Sequence, residues 1–124
     1  MLKKRIIASL LFSKGRLVKT TRFENGRDVG DALSTARIYD DQSIDEIVLL
    51  AIDKGFIWDE TSLNLVEKIS QRCFSPFSVG GGIRTFEQAR ALFDRGADKV
   101  VLNNTLFSDP GVTTEIASVY GSQA

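Results

Sequence analysis

The chain has 124 residues, 43% of them apolar and 26% charged, enough for one globular domain with its own core and too few for two. Lys plus Arg (16) equals Asp plus Glu (16), so general affinity for nucleic acid or an acidic membrane surface is not expected. There is no His and only one Cys, which excludes a Ser–His or Cys–His catalytic pair, a His metal site and an internal disulfide.

The first apolar run, Ile6 to Phe12, is broken by Ser9 and followed by charged Lys14 and Arg16. It lacks a signal-peptide cleavage site, and no stretch is long enough for a membrane span, so a cytoplasmic setting is expected. "RIIASL" reads as the first strand. A Gly- and charge-rich loop over 12–30 should follow, long for a compact domain and so expected to be functional or mobile. Asp31 is placed to N-cap the first helix, "ALSTARIYDDQ".

"EIVLLAI" is the second strand, apolar enough for a parallel strand buried on both faces. "SLNLVEKISQRC" has helical spacing at Leu63, Val66 and Ile69, and Cys73 at its end reads as a buried structural thiol. "PFSV" is the third strand, with Pro76 at its first position. Thr85 and Gln88 form a capping-box pattern, and Gly96 is the expected C-terminal stop of that helix. "DKVVLN" is the fourth strand, and Asp109–Pro110 marks a last helix running to Tyr120. Strands alternating with helices predict βα units around a parallel, four-stranded sheet, a single domain over 1–124.

The stretch richest in chemistry is "SVGGGIRTFEQ". Gly80, Gly81 and Gly82 follow a strand and precede a helix, where an anion can approach backbone N–H groups. Neither the dinucleotide fingerprint nor the Walker pattern is present, and a tight turn without a ligand explains the triplet equally well. Asn103 and Asn104 end the fourth strand. In a βα barrel they would share a face, and one phosphate, with Gly82, whereas simple turn chemistry is the plain alternative. Lys19, in the first loop, reads by composition as a solvated charge.

Taken together, "KRIIASL", "GRLVKTTRFENGRDVGD", "IDEIVLLAI", "PFSVGGGIRTFEQA", "RGADKVVLNN" and "YGSQ" resemble, in order and over the whole chain, the cyclase subunit of imidazole glycerol phosphate synthase. The resemblance covers the first half of that (βα)8 barrel, which has about 250 residues. It implies a (βα)4 half of a TIM-type barrel. Family members take ammonia from a glutaminase partner and add it to a bis-phosphorylated ribulosyl intermediate. Two aspartates act as acid and base, and each half-barrel holds one phosphate. Carried onto this chain, Lys19 matches the family's loop lysine, and Gly82, Asn103 and Asn104 match the first phosphate site, which Gly81 adjoins. Arg5, Glu46 and Lys99 match the charged gate at the opposite barrel mouth, and Asp98 matches a residue near the glutaminase interface. No cofactor or metal is implied.

Two positions depart from the family. Leu11 replaces the aspartate that ends strand one, and a leucine can neither take nor give a proton. Ala51 replaces another aspartate, and Asp53, two residues on, is the candidate substitute. Leu11 and the "LVKT" loop are closer to the subfamily used in bacterial surface-polysaccharide biosynthesis, where ammonia converts an acetamido sugar to an amidine.

Four βα units alone would leave two sheet edges and an apolar inner face uncovered, so a homodimer or a dimer of dimers is expected to complete the barrel. Three functions follow: a half-barrel that binds a phosphorylated sugar or nucleotide-like ligand with little or no cyclase turnover, an amidotransferase subunit working with a glutaminase, or a non-catalytic structural dimer. A flavodoxin-like domain would need a fifth parallel strand.

Overall fold

The structure, a computed structural model, describes residues 2–21 and 24–124. Four parallel strands form the centre of one open sheet: β1 (Ile7–Ser13), β4 (Glu46–Ala51), β5 (Phe77–Gly80) and β6 (Lys99–Val101), side by side in that order. The segment expected to be a loop instead supplies two further strands, β2 (Arg16–Thr21) and β3 (Glu24–Gly30), which extend the sheet antiparallel beyond β1. Arg22 and Phe23 of that segment lie outside the described residues. β1 and β2 are joined by a two-residue turn, Lys14 (φ +49°) and Gly15 (φ +82°), whose left-handed backbone matches the twist of paired strands.

The helices are α1 (Ala32–Asp41), α2 (Glu60–Arg72), α3 (Phe86–Asp94), the short α4 (Thr105–Ser108) and α5 (Gly111–Tyr120). Their ends follow the polar signals. Asp31 and Asp59 accept from the N–H groups of Ser34 and Ser62, each at 2.9 Å. Thr85 and Gln88 close a complete capping box on α3. That helix ends in paired bonds, Gly96 N–H to Phe93 O and Ala97 N–H to Leu92 O, the Schellman pattern. Asp109 departs from expectation. It is the C-cap of α4 and does not cap α5 with its side chain, because the extra helical turn after the fourth strand shifts the boundary.

The strand register sorts side chains onto two faces. Leu10, Leu49, Val79 and Val100 form one row across the sheet, and Ala8, Ile47 and Phe77 form another. These rows pack under the helices, against Ala36, Val66, Ile69, Ala89, Leu92 and Ile116. Cys73, at the end of α2, is buried here as a free thiol. On the opposite face Leu11, Leu50, Gly80 and Val101 form one row, and Ser9, Val48, Ser78 and Lys99 the next. Among the described residues no helix covers this face: Ile7 is 49% and Val101 36% exposed. The edges are less open than four bare strands imply. β2 pairs with β1 only at Phe12 and Ser13, and the Ala124 carbonyl accepts from Val100 N–H at 2.9 Å.

Aspartates tie the elements together, and this sets an acid limit on stability. Asp31 and Asp59 are held below the ordinary carboxylate value of 3.8 by the serine N–H and hydroxyl groups they cap. For Asp40, burial pushes upward, but bonds from the Ser75 hydroxyl and the N–H groups of Ser75 and Phe74 outweigh it and lower the value. A depressed folded-state pKa contributes stability that is complete above the unfolded value and is lost as pH falls through the folded one. Urea midpoints should therefore be flat above about pH 5 and fall steadily below about pH 4. In an Asp40→Asn variant the fall should be shallower, and an equal slope would remove Asp40 from this role.

Candidate functional site

A parallel sheet brings the C-terminal ends of β4, β5 and β6 to one edge, and the loops that follow them enclose a cleft of about 460 Å³. Asp53, Lys54 and Gly55 follow β4. Gly81 and Gly82 follow β5, and Asn103 and Asn104 follow β6. All seven line the cleft, so the glycine and asparagine motifs, far apart in sequence, meet as expected.

The glycines are required by packing as well as by backbone angle. Gly81 (φ +118°) and Gly82 (φ +69°) both take backbone conformations that L side chains rarely adopt. A Cβ at Gly81 would collide with Ala51, and one at Gly82 would fall on the Gly55 carbonyl. Two neighbours fix this loop. The Trp58 indole N–H donates to Gly81 O at 3.3 Å while its ring stacks on Phe12, with centroids 5.5 Å apart. The buried Thr105 hydroxyl donates to Ile83 O and so joins the glycine loop to the asparagine loop. Among the described residues, the N–H groups of Gly81, Gly82, Asn103 and Asn104 have no acceptor within the chain. Unpaired N–H groups at a rigid, Cβ-free surface suit an anion.

The charges lining the cleft are Lys54 and Arg84 against the single carboxylate of Asp53. Asp53 faces inward across the sheet: its oxygens accept from the Ser13 hydroxyl at 2.7 Å and from Lys14 N–H at 3.1 Å. It therefore fastens the end of β1 to the β4 loop. β4 ends at Ala51, so Asp53 does not continue the strand as its spacing suggested. Lys19 lies on β2 opposite Arg27, exposed and outside the cleft lining. Leu11 is half-buried in the inner row beside Leu50.

At the other end of the strands Glu46, with a side chain only 12% exposed, accepts from Arg5 at 3.0 Å and pairs with Lys99 at 3.8 Å. The three gate candidates thus form one cluster. Asp98 is exposed but internally engaged. Its carboxylate accepts from Phe77 N–H and its own N–H donates to Phe77 O, both at 2.8 Å. Asp45 makes the same reciprocal pair with Ile6.

Trp58, Thr105, Lys54 and Arg84 were not singled out from the sequence. Arg84 stands two residues after the glycine run, and Thr105 follows the Asn pair, so proximity to those motifs was the available signal. Trp58 carried none, because only folding brings its ring to Gly81. Among the described residues no group of three or more Cys, Asp or Glu side chains is arranged to hold a metal ion, and no helix is long and apolar enough to cross a membrane.

The chain matches a family model described as "Histidine biosynthesis protein" over residues 5–124. It is 48% identical over 122 residues to imidazole glycerol phosphate synthase subunit HisF of Thermococcus gammatolerans, covering 98% of this chain and 48% of that protein. Against the same subunit of Pyrococcus furiosus it is 44% identical over 122 residues, covering 98% of this chain and 49% of the relative. Against that of a Thermotoga species it is 48% identical over all 124 residues, covering 49% of the relative. The chain spans about half the length of the curated relatives it matches. The alternating parallel strands and helices are those of a partial TIM-type barrel whose sheet is not closed. The chain therefore belongs to the histidine biosynthesis protein family, as a counterpart of the N-terminal half of subunit HisF.

Proposed function

We propose that this chain is a phosphate-binding half-barrel of the imidazole glycerol phosphate synthase cyclase family, with little or no cyclase turnover on its own. The carrying observation is the cleft at the strand ends, lined by Gly81, Gly82, Asn103 and Asn104, whose backbone N–H groups have no acceptor among the described residues. Leu11 argues against family acid–base chemistry, because no proton can be exchanged at that position. The test is a titration with inorganic phosphate followed by ¹H–¹⁵N NMR. Shifts centred on Gly82 and Asn103 are expected, and an unchanged spectrum at millimolar phosphate would reject the reading.

The inner sheet face supports a second part of the proposal, a barrel-like homodimer. Among the described residues, Ile7, Leu11, Val48, Leu50 and Val101 line a face with no helix over it, and the outer edge of β1 has no strand partner before Phe12. A twofold mate would bring its β1 to the β6 edge, displacing the single Ala124 contact, and would place two phosphate sites at one mouth. Light scattering on a size-exclusion column should give a dimer mass that survives dilution. A stable monomer rejects the closed barrel. Val48→Lys, which puts a charge in the middle of the inner face, should shift the species to monomer.

The cluster of Arg5, Glu46 and Lys99 favours one alternative, an ammonia-using amidotransferase subunit in histidine or surface-polysaccharide biosynthesis. In that reading the cluster gates ammonia from a glutaminase docked near Asp98, and Lys19 and Asp53 serve the proton transfers that Leu11 cannot. Ammonia-dependent turnover of the family intermediate, abolished by Lys19→Ala, would establish it. An inactive wild type together with an inactive Leu11→Asp variant would count against it.

A further inference from the structure

Two cations of the cleft have no role in the reading above. Lys54 and Arg84 both line it and both are exposed. Among the described residues neither makes an ion pair, as is also true of exposed cations away from the cleft such as Lys19 and Arg72; what sets these two apart is that they line it. Their placement relative to one glycine is specific. Lys54 adjoins Gly55, whose carbonyl packs where a Cβ of Gly82 would lie, and Arg84 is two residues beyond Gly82. Both positive side chains therefore spring from backbone within two residues of the Gly55–Gly82 contact. The backbone at Arg84 is itself held, its N–H donating to Gln88 Oε1 at 2.7 Å. The one carboxylate of the cleft, Asp53, already accepts from Ser13 and Lys14.

One phosphate on the glycine and asparagine N–H groups leaves this second set of donors unsatisfied. We infer that the cleft takes a diphosphate group, one phosphate on the Gly81–Gly82 and Asn103–Asn104 backbone and the adjoining phosphate between Lys54 and Arg84. A cleft of about 460 Å³ has room for a diphosphate and the first part of a sugar attached to it. The ligand class is then a diphosphate ester, such as a nucleotide-linked sugar, rather than a simple phosphomonoester. This inference rests on the phosphate site proposed above.

The test compares inorganic phosphate with inorganic pyrophosphate by calorimetry and ¹H–¹⁵N NMR, at matched ionic strength and without divalent metal. Pyrophosphate should bind the wild type about tenfold or more tightly than phosphate, the range expected for added hydrogen bonds to charged groups. In a Lys54→Gln/Arg84→Gln variant, whose free spectrum reports on its fold, that ratio should fall towards one. Phosphate binding with no pyrophosphate advantage, or an advantage that survives the double substitution, overturns the diphosphate assignment and leaves the phosphate site standing. Failure of both anions to bind overturns the two together.

Discussion

Replacing Trp58 with alanine should lower stability by about 3–5 kcal/mol, the range for truncating a buried large aromatic. Trp58 is 2% exposed and lies nearly parallel to Phe12, at an interplanar angle of 5°. Truncation would open a void between the end of β1 and the loop after β4, and would leave the Gly81 carbonyl without its indole donor. Urea denaturation gives the size of the loss. Trp58→Phe separates the two contributions, because it keeps a ring against Phe12 and removes only the N–H. That variant should lose about 1 kcal/mol, the usual net value of one hydrogen bond. Its response to phosphate should weaken while its fold persists. If Trp58→Ala costs less than the phenylalanine variant is expected to, the indole is not what holds the glycine loop.

Gly82→Ala should abolish the phosphate response and destabilise the chain by about 2–4 kcal/mol, combining left-handed backbone strain with overpacking. The added methyl has nowhere to go, since the Gly55 carbonyl occupies its position and backbone cannot swing aside as a side-chain tip can. Gly15→Ala supplies the control. Gly15 also has a positive φ, +82°, but nothing lies within 4 Å of a Cβ placed there. It should cost only the backbone strain, about 1–2 kcal/mol, and leave phosphate binding intact. Equal losses at the two positions would show that the contact with Gly55 contributes nothing.

The four parallel strands and their order of helices were legible in the sequence because each signal is local. An apolar run such as "EIVLLAI", a cap at Asp31 and a capping box at Thr85 act within one turn or one strand. The β2–β3 hairpin was missed because polar residues such as Lys19, Arg27 and Asp28 mask its alternation. The local signal in that stretch was the Lys14–Gly15 pair, which favours the left-handed two-residue turn that joins β1 to β2. The glycine run and the Asn pair were recognisable as candidate anion binders, yet a plain turn was an equal reading of the glycine run and the alternative for the Asn pair. Their meeting in one cleft is what favours the ligand.

Residue order alone settled the βα alternation, the caps at Asp31 and Thr85, and the presence of a leucine at position 11. It also placed Arg5, Glu46 and Lys99 as candidates, through likeness to the family. Only the tertiary structure decided which candidates share a site. It joined Gly82 to Asn103 and Arg5 to Glu46, turned Asp53 into a partner of Ser13, and left Lys19 on an exposed hairpin. The reason is one of range. Caps and periodicity depend on neighbours a few residues apart, whereas strand register brings together groups separated by tens of residues. That long-range pairing sets where each polar side chain meets a partner, a cleft or water.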